Sequence, residues 1–185
     1  AWRKEVAPSK LIHGPMLGNV TASSASIWVR TSSPAAVRVS LTDSQRGSET
    51  QNTTSESDFT AVVTVDGLQS AREYPYEGLV DGESAASGVI RTFPTQGDGG
   101  PCSVGGGGGA GYVPEWERMW DTILVVSPNA FLMLGDNVYI DRPETTLTQY
   151  YCYYRRQSRP EWQRLTARTP IYSIWDDHDF GTNDC

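Results

Sequence analysis

With 185 residues, the chain can form one large domain or two small ones, each with a working core. Its 15 Lys and Arg against 22 Asp and Glu give a formal charge of −7, which repels phosphate backbones and anionic lipid and argues against a nucleic-acid-binding platform. Hydrophobic content of 38% lies above the disordered range, and no apolar run approaches the roughly 20 residues needed to span a bilayer.

The chain opens at Ala1 without a secretory signal, as a mature exported protein would, and equally as a segment cut from a longer chain would. Asn19-Val20-Thr21 and Asn52-Thr53-Thr54 are acceptor sequons in Ser/Thr-rich stretches and permit glycosylation. Cys102, Cys152 and Cys185 form an odd set, so at least one is free, bonded to another chain or a metal ligand. These features favour a secreted, periplasmic or cell-surface location.

From Leu17 to about Thr92 the patterning has period two in short runs: 26–30, 36–41 and 59–65 are rich in β-branched and aromatic residues. Asp66-Gly67, Asp81-Gly82 and Ser32-Ser33-Pro34 punctuate them as turns. This spacing predicts an antiparallel β-sandwich of the immunoglobulin or fibronectin kind over 1–94, with Trp28 as its core anchor. Residues 45–57 hold almost no apolar residue and read as an exposed loop, and isolated His13 reads as structural. Residues 95–113, with five consecutive glycines, read as a linker or mobile loop, because ordering glycine costs the most backbone entropy. No Gly-Lys-Ser/Thr follows, so a nucleotide P-loop is a poor reading.

From Pro114 the period becomes helical, with Trp116, Met119, Trp120, Ile123 and Leu124 on one face until Ser127-Pro128. Phe131-Leu132-Met133-Leu134 reads as a strand buried on both faces, ending in Gly135-Asp136. A second helix runs through Leu147, Tyr150, Tyr151 and Tyr154, with its tyrosines inward and its arginines paired to the acidic loop. A third starts at Pro160. Residues 171–175 read as a second buried strand, ending in Asp176-Asp177-His178-Asp179. This order predicts a parallel strand pair within an α/β unit over 114–185.

Ligands of open α/β sheets bind beyond the carboxyl ends of the strands, so Asp136, Asp177 and His178 are placed to converge there and hold a hard or borderline cation. Gly135 permits the sharp turn, Tyr139 is a candidate phenolate donor, and Asp179 is placed to orient or charge-balance the His178 ring. Taken singly, Asp136 reads first as a helix cap, by roughly two to one, and Tyr139 as an ordinary half-buried tyrosine. Three acids around one histidine favour a functional cluster, since unpaired like charges repel.

Residues 131–141 (FLMLGDNVYID), 153–162 (YYRRQSRPEW) and 174–184 (IWDDHDFGTND) strongly resemble the PhoD-like alkaline phosphatases of the metallophosphoesterase superfamily. The resemblance implies hydrolysis of phosphate mono- or diesters at a dinuclear iron and calcium site. Asp136 would bridge the metals, Tyr139 and Cys102 would bind iron, and Asp177 would serve the second metal. His178 would protonate the leaving group or hold the phosphate. The expected architecture is thus an all-β sandwich followed by an incomplete α/β metallophosphoesterase-like domain, inactive alone and completed by a C-terminal portion or other copies. The competing expectation is a non-catalytic extracellular assembly module built on the β-sandwich.

Overall fold

The computed structural model describes residues 8–44 and 46–184; Cys185 lies outside them. Seven strands come first: β1 (Leu11–Gly18), β2 (Ala25–Thr31), β3 (Ala35–Leu41), β4 (Gln51–Thr53), β5 (Thr60–Val65), β6 (Glu73–Val80) and β7 (Glu83–Arg91). They form two antiparallel sheets, ordered β1-β2-β5 and β4-β3-β6-β7. One core joins them, with Leu17, Ile27, Val29, Val37, Val39, Val63, Tyr76 and Ile90 all buried. Alternate residues of a strand face opposite sides, so a two-sheet stack buries one set and leaves the other outward.

That same alternation corrects the placement of Trp28. In β2 the inward residues are Ala25, Ile27, Val29 and Thr31, so Trp28 shares the outer face with Ser26 and Arg30. The exposed-loop reading of 45–57 is also corrected in part, because β4 pairs with β3 along Ala35↔Thr53 to Val37↔Gln51. Only Thr53 of β4 is buried, and its hydroxyl accepts from the Ala35 amide (3.0 Å) and bonds the Thr31 hydroxyl (2.7 Å). A polar segment can form such an edge strand because its single inward group has partners.

The second half supplies β8 (Val104–Gly107), α1 (Met119–Val126), β9 (Ala130–Leu134), α2 (Thr146–Gln157), α3 (Pro160–Thr166) and β10 (Ile171–Ile174). The strands form an all-parallel sheet ordered β10-β9-β8. The linker reading of 95–113 therefore fails at β8: a parallel ladder needs only backbone, and a Cβ on Gly105 would lie 2.7 Å from the Phe131 ring. Trp120 anchors the core beneath this sheet, meeting Trp162 edge-on at 4.7 Å and Phe131 at 6.1 Å.

Three further expectations are corrected. Helix α1 begins at Met119, after turns in which Glu117 is buried while Trp116 is 68% exposed. Helix α2 turns Cys152 and Arg156 inward and leaves Tyr150, Tyr151 and Tyr153 exposed. Arg156 can be buried because Glu117 neutralises it at 2.9 Å, so the arginine pairs with that residue and not with the acidic loop. Among the described residues β10 is an edge strand rather than a buried one, with Ile174 61% exposed and Trp175 just beyond it 73% exposed.

The halves are joined by hydrogen bonds as well as by chain. The Thr166 hydroxyl donates to the Pro15 carbonyl (3.1 Å), the Tyr76 hydroxyl to the Ala167 carbonyl (3.1 Å), and the Val89 amide to the same carbonyl (3.2 Å). Tyr172 meets Val20, and buried His13 bonds Ser158 at 2.9 Å while its ring lies against Tyr154.

Two outcomes follow. Ile27→Ala should destabilise the chain by about 2–5 kcal/mol in denaturant unfolding, and Trp28→Ala by less, because only the former opens the sandwich core. Desolvation, with Arg30 adding to it and Asp58 opposing, lowers the His13 pKa to about 4. The unfolded chain then binds a proton between pH 6.5 and 4 that the folded chain does not, so His13 makes stability fall as pH drops through that range. Unfolding measured from pH 7 to 4 should show a shallower slope for His13→Gln.

Candidate metal centre

β9 and β10 are parallel neighbours with Leu134 opposite Ile174, so both chains leave the sheet at the same edge. Beyond β9 the backbone turns through two left-handed residues, Gly135 (φ 94°) and Asp136 (φ 49°). Glycine is required at the first, because a Cβ there would also lie 2.9 Å from the Asp176 Cβ. The Gly-rich loop after β8 holds this turn: the Gly109 amide donates to the Gly135 carbonyl (3.2 Å) and the Ala110 amide to the Asp136 carbonyl (2.9 Å). Beyond β10, Asp176 caps a single 3₁₀ turn, 177–179, through a reciprocal capping box with Asp179.

These two turns bring Asp136, Asp177 and His178 together. Each offers one ligand atom, and the three atoms lie within 4.8 Å of one another. The Tyr139 hydroxyl donates to Asp136 Oδ2 at 3.1 Å, and its ring lies 4.3 Å from the His178 ring. Asp136 Oδ1 is buried without a hydrogen-bond partner among the described residues. A carboxylate oxygen left so is costly unless a cation answers it, and the oxygen and imidazole donors present suit a hard or borderline metal ion.

The electrostatics agree with a concentration of negative charge. Desolvation pulls the His178 pKa down, but Asp177, Asp136, Asn183 and Asp141 together outweigh it and leave the pKa raised. Desolvation and the Asp136 contact raise the Tyr139 pKa, so a phenolate there would need a cation to compensate. Asp177 is held below the usual carboxylate range, chiefly by the Asp184 amide.

Two sequence-predicted residues lie elsewhere. Cys102 is exposed and precedes β8, at the amino end of a sheet whose carboxyl end carries Asp136, so it does not join the cluster. Asp179 is buried and committed to other donors: its carboxylate accepts from the Val138 amide (3.1 Å), the Asn137 side chain (3.0 Å) and the Asp176 amide (3.0 Å). It staples one turn to the other. The carboxylate that meets the His178 ring is Asp141, 3.2 Å from Nδ1 and 68% exposed. Asp141 stands five residues beyond Asp136 within the same motif, which is its only signal in the sequence, and next to it the Ile140 amide bonds the His178 carbonyl at 3.0 Å.

Comparisons with known proteins bear on the fold. A family model described as a domain of unknown function (DUF7800) matches residues 8–97. No curated protein matches the chain. Among solved structures, the chain is similar to one described as the structure of PhoD, at 16% identity and a TM-score of 0.80, covering 95% of this chain and 40% of that one. The sensor domain of the anti-sigma factor RsgI4 of Pseudobacteroides cellulosolvens covers 49% of this chain at 17% identity, with a TM-score of 0.35. The chain thus has a PhoD-like fold and spans about 40% of the length of the PhoD chain it matches.

Proposed function

We propose that this chain carries one side of a metal-dependent phosphatase site, of the PhoD-like alkaline phosphatase kind, that hydrolyses phosphate mono- or diesters. The observation that carries the reading is the convergence of Asp136, Asp177 and His178 beyond adjacent parallel strands, with one Asp136 oxygen buried and unanswered. In this proposal Asp136, Tyr139 and Asp177 hold the metals, with iron and calcium as the pair. The bound cations would neutralise charge on the phosphoryl oxygens and activate water. His178 donates a proton or hydrogen bond toward the leaving oxygen, and Asp141 fixes its ring. The proposal retains the division into a sandwich over 1–94 and an α/β part over 114–185.

The rest of such a site would come from residues beyond those of this chain, consistent with its spanning 40% of the PhoD chain. A non-catalytic assembly role is the second reading, favoured by the exposed apolar edge at Leu134, Ile174, Trp175 and Phe180. No helix among the described residues is long and apolar enough to cross a membrane. Export is part of the proposal, and both sequon asparagines, Asn19 and Asn52, are exposed as glycosylation would require.

Calorimetric titration with calcium and ferrous iron tests the site directly. The chain should bind, and Asp136→Asn should weaken binding at least about tenfold, the lower end of what loss of a residue merely supporting a ligand costs. Turnover of a chromogenic phosphate ester should be negligible for this chain, appear in a longer PhoD-like form, and be lost there on Asp136→Asn. Asp179→Asn should chiefly destabilise the fold, by about 1–3 kcal/mol, because it weakens a buried acceptor used by three donors.

A further inference from the structure

The Glu117–Arg156 pair is the most deeply buried ion pair among the described residues, at 1% and 3% side-chain exposure, and the cluster described above makes no direct use of it. Its hydrogen bonds are directed. Arg156 Nη1 donates to the Asn137 carbonyl at 3.1 Å and Nη2 to the Ala110 carbonyl at 2.8 Å. Asn137 follows Asp136 in the chain, and the Ala110 amide is the group that bonds the Asp136 carbonyl. One guanidinium therefore grips the Asp136 turn at two places, at the Asn137–Val138 peptide just beyond it and, through Ala110, at the Gly-rich loop that bonds the Asp136 carbonyl. On the other side Glu117 Oε2 lies 2.9 Å from Arg156 Nε and also accepts from Trp120 Nε1 at 2.9 Å, which anchors the assembly to the aromatic core. The Trp120 ring lies 5.2 Å from the guanidinium carbon.

We propose that Arg156, aimed by Glu117, is a positioning residue that fixes the backbone carrying Asp136, so that this carboxylate is preset in its left-handed turn. The inference rests on reading the Asp136 cluster as a cation site for its functional meaning, but the clamp itself is a statement about this chain alone. A residue held at φ 49° needs the surrounding structure to over-determine it, and two hydrogen bonds from one planar fork provide that. Lysine would keep the charge but not the fork geometry. Replacing both partners with apolar residues of similar volume removes a buried pair without stranding a charge, so the fold can survive it.

The test compares amide hydrogen exchange and calcium binding in the parent chain, Arg156→Lys, and the double variant Glu117→Leu, Arg156→Met. The Ala110 and Val138 amides should exchange about tenfold faster or more in the double variant, with a smaller change in Arg156→Lys, while Ile27 and Val39 in the sandwich keep their protection. Calcium affinity should fall about 10- to 100-fold in the double variant. Unchanged exchange at Ala110 and Val138 would overturn the clamp. Equal loss of protection in loop and sandwich would overturn it too, since the pair would then support the whole fold and not this turn. If the exchange result holds while the parent binds no calcium, the cation reading falls and the clamp stands.

Discussion

Like charge crowded at one sheet edge is the constraint around which this fold is arranged. Asp136, Asp141, Asp176, Asp177 and Asp179 all lie beyond the carboxyl ends of β9 and β10, and such carboxylates repel unless each is separated, solvated or answered. The structure answers them differently. Asp179 goes inside, where two amides and an asparagine saturate it; Asp176 caps a turn; Asp141 reaches the His178 ring from solvent. Asp136 alone of these keeps a buried oxygen without a donor, and it does so where Asp177, His178 and Tyr139 converge. Unequal satisfaction of similar groups separates architecture from chemistry here.

The sandwich contributes to this edge at a distance. Its first strand receives bonds from Thr166 and Gln163 of α3, and His13 meets the end of α2. Those helices place Trp162 against the sheet that carries the acids and Arg156 against the Asn137 carbonyl beside them, which links β1 and β7 to that edge through packed intermediates. The Gly-rich segment works in the same direction. What composition presents as slack chain is a strand followed by a loop whose amides hold the Gly135 and Asp136 carbonyls.

Much of this was legible in the residues, and the failures have physical causes. Alternation through Ile27, Val29, Val37 and Val39 locates the sandwich strands and by the same period puts Trp28 on the outer face, so period outranks hydrophobicity as a guide to its side. The acids ending two apolar runs located the cluster, since parallel strands release their next residues at a common edge. Three features were not legible. Propensity cannot see that a glycine strand is templated by β9, that Arg156 is inside because Glu117 is there first, or that of two nearby acids it is Asp141 and not Asp179 that faces the histidine. Each depends on a partner far away in sequence or on the direction of a turn.

The outer edge of β10 has a final consequence, for the behaviour of the chain in solution. An edge strand with exposed Ile174 and Trp175 is a template for stacking against another strand. Immediately after it come Asp176, Asp177 and Asp179, with Asp184 close behind, on a chain whose net charge is −7. The carboxylates among them that reach solvent, Asp176, Asp177 and Asp184, are placed as gatekeepers, whose repulsion toward a second edge reaches roughly 10 Å at 0.1 M salt and about 3 Å at 1 M. Self-association at the edge that the described residues leave unpaired should therefore rise with ionic strength, because concentrated salt or a bound cation screens the same repulsion.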